Sequence, residues 1–263
     1  MKLRTTKGER QVTGAQAIGR AFSILRMFSD ETPEWNLAEL SRKVGLTKTT
    51  SFRLLGALEH ERMVARNRPS GSYRLGPRAI ELGSLAQRSN SLHRAAHEEL
   101  IALSEATGET TSLEILIGTH VLVLDEIQGR HKLSPAPFIG SRWPAHTAST
   151  GKVLLAAAGG WPAGSPRPVR LTPQSITSVA RLNAELAAVT KRGYAVAIEE
   201  LEAGYVAVGA PVRNHHRSVV AAISAGGPSI RFTAQRIPRI AKAVCEAAER
   251  ISQRLGAGRE PRT

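Results

Sequence analysis

His93 and His97 stand four residues apart, a spacing that sets two imidazoles on one face of a helix and permits metal binding. No cysteine or acidic residue at ligand spacing accompanies them, so the sequence reads them as solvated surface histidines and implies no metal and no cofactor. Glu199, Glu200 and Glu202 could supply the paired carboxylates that acid–base work needs. At a strand-to-loop edge such groups are more often solvated or paired to arginine. His146, two residues after Pro144, reads as a structural hydrogen-bond partner. Cys245, the single cysteine, falls on or near the apolar stripe of the last helix and reads as core, and one cysteine allows neither an internal disulfide nor a multi-cysteine zinc site. The glycine-containing runs TASTGK and AISAGGP lack the G-x-x-x-x-G-K-[ST] spacing of a phosphate loop. The sequence therefore names no catalytic residue.

Charge recognition is the stronger signal. Residues 1–90 carry 16 Lys and Arg against 8 Asp and Glu, so +8 of the net +14 lies in the first third of the chain. A concentrated basic field is what a polyanion rewards through counterion release, although solubility alone would also tolerate it. Within that third, Thr47, Lys48, Thr49, Thr50, Phe52 and Arg53 form one run, and Arg66, Arg68 and Arg74 form a second. On a helix, Ser51, Leu54, Leu55 and Leu58 share a stripe, which turns Lys48, Thr49, Phe52, Arg53 and Gly56 the other way. Thr49 and Thr50 can donate to phosphate or base edges, Arg53 can reach a guanine edge or a phosphate, and Phe52 can press on a sugar or a thymine methyl.

Those residues need elements to hold them. Residues 1–11 read as a disordered basic arm. Ile18, Ala21, Phe22, Leu25 and Phe28 fall at helical spacing, and the turn formers around Pro33 end that helix. Leu37 to Val44 is a short second helix closed by Gly45, and Thr47 is placed to cap a third. Met63–Ala65 and Ser72–Leu75 make a hairpin with Pro69-Ser70-Gly71 at its tip. Helix–glycine turn–helix followed by a basic hairpin is a winged helix-turn-helix over residues 12–76, whose helix N-terminus enters a major groove while the wing tracks the backbone.

A helical stretch runs on from Arg78 to Ala106 with a break near Ser89-Asn90-Ser91, so residues 77–90 read as a linker helix. Residues 91–258 then form a second domain, with 259–263 as a tail. Its strands are expected at Thr111–Ile117, His120–Ile127, Tyr194–Ile198, Val206–Val212 and Val219–Ala225. Helices are expected after Thr150, over Leu182–Lys191 and over Ala234–Leu255. That order predicts an α+β fold on one largely antiparallel sheet. No apolar run reaches the ~20 residues of a membrane span, and no secretory signal opens the chain, so a cytoplasmic protein is expected.

The segment NLAELSRKVGLTKTTSFRLLGALEHERMV followed by GSYRLG resembles the winged helix-turn-helix of the IclR family of bacterial regulators. TGETTSLEIL, GSRWPAHTASTGKVLLA, RGYAVAIEELEAGYVAVGAPV and VVAAISAGGP resemble, in order and spacing, that family's effector-binding domain, so the likeness spans about residues 12–255. It implies a GAF-like sensor fold, a double-stranded DNA operator as partner, a small-molecule effector, and assembly into homodimers or homotetramers. Carried over by position, the effector residues are Ser149, Thr150, Ala197, Ala207, Ser224 and Gly226. Free N–H groups at the helix start near Ser149 would favour an anion. Ala197 and Ala207 stand where small-acid-binding members often carry Asp and Cys, which points to a carboxylate with a larger, apolar body. A ligand-responsive transcription regulator, a repressor rather than an activator, is the function implied. Two alternatives stay open: a GAF-like enzyme with a nucleic-acid-binding appendage, and a DNA- or RNA-binding protein without a ligand.

Overall fold

The computed structural model describes residues 13–29, 31–130 and 138–257, which fall into two compact units divided between Gln87 and Arg88. The expected basic arm and C-terminal tail lie outside the described residues.

The first unit begins with α1 (Thr13–Leu25) and β1 (Glu34–Trp35), followed by α2 (Leu37–Val44) and α3 (Lys48–His60). Next come β2 (Val64–Arg66), β3 (Tyr73–Leu75) and most of α4 (Pro77–Ser89). Asn36 caps α2 by accepting from the Glu39 amide at 2.9 Å, while the Glu39 carboxylate accepts from Asn36 Nδ2 at 2.7 Å. Gly45 closes α2 at φ 68, a left-handed geometry that only glycine takes without cost. Thr47 then caps α3 through the Thr50 amide at 3.2 Å. Ile24, Leu40, Leu55, Val64 and Tyr73 form the buried core.

Two sequence expectations shift here. Ile18 and Phe22, read as the inward stripe of α1, are 61% and 52% exposed, while Ile24 is fully buried. The inward face is rotated because α1 meets α2 and α3 near its C-terminal end. A strand also forms where only a turn was expected. Glu34–Trp35 pairs antiparallel with Tyr73–Arg74, giving the order β1-β3-β2. Trp35 is pinned there by its indole N–H donating to Met27 O at 2.9 Å.

In the second unit α5 (Ser91–Thr107) precedes β4 (Thr110–Ile117), β5 (His120–Ile127), β6 (Arg142–Pro144), α6 (Ser149–Ala157) and α7 (Val179–Arg192). Then come β7 (Ala195–Ile198), β8 (Tyr205–Arg213), β9 (Val219–Pro228) and α8 (Arg236–Arg254). The strands build one antiparallel sheet in the order β6-β5-β4-β9-β8-β7. β6 is an edge strand of three residues, too short to show a period in the sequence. Alternation along each strand divides the sheet into two faces. Leu113, Val206, Val208, Ala210, Ala221, Ile223 and Ala225 pack under α5 and α8, whereas Val121, Ala195 and Ala222 pack under α6 and α7. Buried glutamates pair with partly exposed arginines in the first layer: Glu99 with Arg250 and Arg254, and Glu109 with Arg231 and Arg236.

Glycines let α6 sit close to the sheet. A Cβ on Gly151 would lie 2.1 Å from Ala145 O, and one on Gly209 would lie 2.8 Å from the Thr150 amide nitrogen. The first turn of α6 is thus pressed against β8, which brings Ser149 and Thr150 over the strand residues opposite.

Candidate nucleic-acid interface and ligand pocket

On α3, Ser51 and Leu55 are fully buried and Leu54 and Leu58 half-buried, while Thr47, Lys48, Thr49, Phe52 and Arg53 are exposed. Thr50 is half-buried, and its hydroxyl oxygen accepts from Thr47 Oγ1 at 2.9 Å. Phe52 is 54% exposed, an outlay of apolar surface that folding alone does not explain. In the hairpin, the Gly71 amide donates to Asn67 O at 2.7 Å and the Asn67 amide to Ser72 O at 2.8 Å, fixing a tight tip. Glu34 on β1 holds it from beside, accepting from Ser72 Oγ at 2.5 Å and Asn67 Nδ2 at 3.5 Å. Arg66, Arg68 and Arg74 are all exposed, and Arg66 lies 5.7 Å from the centre of the Tyr73 ring. The unit therefore presents a helix N-terminal half with two exposed cations, Lys48 and Arg53, and a basic hairpin whose tip is braced by Glu34.

In the second unit a cavity of about 520 Å³ opens between the sheet and the start of α6. Ser149, Thr150, Ala197, Ala207 and Ser224 line it. Gly226 lies behind the Tyr205 side chain, whose hydroxyl would be 2.1 Å from a Cβ at that position. The register explains the grouping. Ala197 pairs with Ala207, Ala207 with Gly226 and Gly226 with Thr110, while Ser112 pairs with Ser224, so these positions form two rows across β7, β8, β9 and β4. Phe138, Trp143, Leu171, Leu201 and Tyr205 add apolar and aromatic walls.

Sequence reasoning named Glu200 and Glu202 but missed Glu114 and Glu126. Glu114, on the cavity face of β4, is buried, accepts from Ser112 Oγ at 2.7 Å, and takes a second bond from Thr150 Oγ1. Ser112 is also 2.9 Å from Ser224 Oγ. Burial pushes the Glu114 carboxyl above its ordinary range, against the two hydroxyl bonds. Glu126, half-buried in the wall, is pushed the same way by desolvation, with Glu114 and Asp125 adding repulsion. Glu200 makes a buried ion pair with Lys152 at 2.5 Å, and its Oε2 has no hydrogen-bond partner among the described residues. Its carboxyl is nevertheless pushed up, because burial outweighs the Lys152 charge. The signal for Glu114 was present as alternation: Thr110, Ser112 and Glu114 share the face opposite Leu113.

The remaining sequence candidates fall elsewhere. His146 is buried away from the cavity lining, with Nε2 2.8 Å from Val169 O and the ring edge-on to Trp161. Burial holds its pKa below the usual value. Cys245 packs half-buried against the core, its thiol pushed up by burial. Glu199 takes a left-handed φ of 53 at the turn after β7, and Glu202 is exposed at the cavity rim. His93 and His97 do have an acidic partner, contrary to the sequence reading. Asp125, 3% exposed on β5, lies 2.7 Å from His97 Nδ1 and 3.4 Å from His93 Nε2. Their donor atoms lie within 4.8 Å of one another, the arrangement among the described residues with room for a metal ion. Sequence spacing could not show it, since the third ligand comes from a strand.

A basic helix-turn-helix unit and an α+β unit enclosing an aromatic-walled cavity, in one chain, define a regulator that pairs a nucleic-acid reader with a small-molecule receptor. Residues 17–68 match the IclR helix-turn-helix domain, and residues 85–253 match the bacterial transcriptional regulator IclR C-terminal domain. The chain is 31% identical over 245 residues to the HTH-type transcriptional regulator XynR of Escherichia coli, covering 92% of this chain and 97% of that one. It is 27% identical over 252 residues to the transcriptional repressor IclR of E. coli, covering 92% and 90%. It superposes with a TM-score of 0.76 at 27% identity on an IclR homolog from Microbacterium hydrocarbonoxydans complexed with 4-hydroxybenzoate, covering 91% and 98%. The chain belongs to the IclR family of bacterial transcription regulators.

Proposed function

We propose that this protein is a ligand-responsive repressor of a metabolic operon, binding double-stranded operator DNA through α3 and the wing and an organic effector in the cavity beneath α6. The observation that carries the DNA half is the exposed row Lys48, Thr49, Phe52 and Arg53 on a helix whose other face is buried. In this reading Thr49 and Arg53 meet base edges, Thr47, Lys48 and Thr50 meet phosphates or the groove entrance, and Arg66, Arg68 and Arg74 follow the backbone. Residues 12–76 read DNA, 77–90 link, and 91–258 sense.

The effector half is supported by the cavity itself, which is large enough for a ligand with a ring and is walled by Trp143, Phe138, Val123 and Leu171. Ala197 and Ala207 withdraw side-chain volume from its floor, in keeping with a bulky apolar body. Ser149, Thr150 and Ser224 supply polar contacts at one end, and Gly226 keeps the Tyr205 ring in place. Exposed Ile18 and Phe22 on α1 and Ile80 and Leu85 on α4 favour a homodimer, or a dimer of dimers, as the working form. The protein acts in the cytoplasm, where its operator is; among the described residues no helix is long and apolar enough to cross a membrane. The enzyme alternative is weakened by the carboxylates, since one oxygen of Glu200 is held by Lys152 and both oxygens of Glu114 already accept hydroxyl bonds.

Genomic footprinting with the full chain identifies the bound sites, and titration of one such site tests the reading. The expected result is sequence-specific binding that Arg53→Ala weakens and that a cavity ligand modulates. Binding that shows no sequence preference would refute it.

A further inference from the structure

The cavity's polar end is built around the Glu114 carboxyl group, and the hydroxyl hydrogens nearest it can be followed one by one. Ser112 has one hydroxyl hydrogen, and it goes to Glu114 Oε1. Thr150's goes to Glu114 Oε2. Ser224 must then be the donor in its 2.9 Å bond to Ser112. Two of the three hydroxyl hydrogens thus go to Glu114 and the third to Ser112, so that Ser224, Thr150 and Glu114 keep lone pairs for a ligand to meet. Around them stand Glu126, Glu202 and Glu200, the last with an unpartnered buried oxygen. The lining holds no lysine or arginine among the described residues. Lys152 beneath is already committed to Glu200 and to Val196 O.

The start of α6 favours an anion by about half an elementary charge. Beside that place stands the protein's own Glu114, which bonds to the Thr150 hydroxyl in the first turn. An incoming carboxylate would crowd a buried carboxyl group that has no cation of its own, and each would oppose the other's ionisation where water screens little. A ligand bringing N–H donors and positive charge would instead satisfy the free lone pairs and compensate Glu114. It would also find aromatic faces in Trp143, Phe138 and Tyr205.

Taking the cavity as the effector site, as proposed above, we infer that its effector carries a protonated amine or similar cationic nitrogen on an apolar or aromatic body, with Glu114 as the residue that selects it. This reverses the charge of the head group expected from the sequence while keeping the body.

The test uses three probes sharing one body, 4-hydroxybenzylamine, 4-hydroxybenzyl alcohol and 4-hydroxybenzoate, titrated calorimetrically into the full-length protein without DNA. The amine is expected to bind at least tenfold more tightly than the alcohol, with the benzoate weakest. Glu114→Gln should lower amine affinity at least tenfold, leave the alcohol within about threefold, and let the benzoate in. Benzoate binding as tight as the amine in the unmodified protein would overturn the inference, as would no detectable amine binding at millimolar concentration. If Glu114→Gln does not fold, the ranking of the three probes on the unmodified chain still decides. Operator affinity is measured separately: amine binding that leaves it unmoved would sink the regulatory reading and leave the pocket's charge preference standing.

Discussion

The two units use charge in opposite ways. On α3 and the wing, Lys48, Arg53, Arg66, Arg68 and Arg74 stand in solvent, and the core beneath them is apolar. In the cavity Glu114 and Glu200 are buried, and two hydroxyls and one lysine hold them. An exposed cation costs little to keep and waits for a polyanion that displaces its counterions. A buried carboxylate is costly to keep ionised, so the fold must supply partners for it and the ligand must suit what is left over. The reader is therefore tuned by which side chains it shows, the receptor by which charges it hides.

Breaking the buried side should have the largest effect. Lys152→Ala removes the cation from Glu200, where both side chains are less than a tenth exposed. It should cost about 3–5 kcal/mol in chemical denaturation, much of it from leaving a carboxylate buried alone. A loss below 1 kcal/mol would mean that the pair is open to water. On the exposed side, Arg53→Ala should leave folding unchanged and cost about 1–3 kcal/mol of operator binding, relaxing preference at a single base position. Unchanged binding in a gel-shift titration would remove Arg53 from the reading face.

Glu114→Gln sharpens the contrast through pH. A carboxyl raised by burial is protonated in both folded and unfolded chains below its ordinary value of 4.5, and there Glu and Gln should be about equally stable. Above that value the unfolded chain ionises freely while the folded one holds its proton, so the wild type loses stability as pH rises through the raised folded value. The variant should then melt higher than wild type at pH 7–8, with the gap closing toward pH 4. A gap that widens on acidification would show that Glu114 sits in the native state as a stabilised anion. The smallest effect belongs to the wing. Arg68→Ala should weaken binding to all DNA sequences alike and lower the salt slope by about one, whereas a change confined to one operator base would make Arg68 a reader.

Much of this was legible in the chain. The helix-turn-helix reads from a stripe at Ser51, Leu54, Leu55 and Leu58, from Gly45 at a left-handed turn and from Thr47 as a cap, because each is a local rule acting over a few residues. The strands expected at Thr111–Ile117, His120–Ile127, Val206–Val212 and Val219–Ala225 formed within a few residues of those bounds. Errors came where distant partners decide. The inward face of α1 depends on where α2 and α3 cross it, so Ile24 took the place expected for Ile18 and Phe22. β1 exists only because β3 offers it a ladder about 40 residues away in the chain, pairing Glu34 with Arg74 and Trp35 with Tyr73. Asp125 joins His93 and His97 only once β5 lies beside α5.

By itself, then, the sequence determined the reading head, its exposed cations and the succession of elements in the receptor, since periodicity and capping are properties of neighbours. It also grouped Ser149, Thr150, Ala197, Ala207 and Ser224, by likeness to a family rather than by physics, and the fold sets these five along one cavity. Only the tertiary structure decided the electrostatic sign of the cavity. Glu114 lies 36 residues from Thr150 and Glu200 48 from Lys152, and a carboxylate's meaning depends on what is packed against it. The α6 start that looked ready for an anion turned out to stand beside a buried carboxyl group, Glu114.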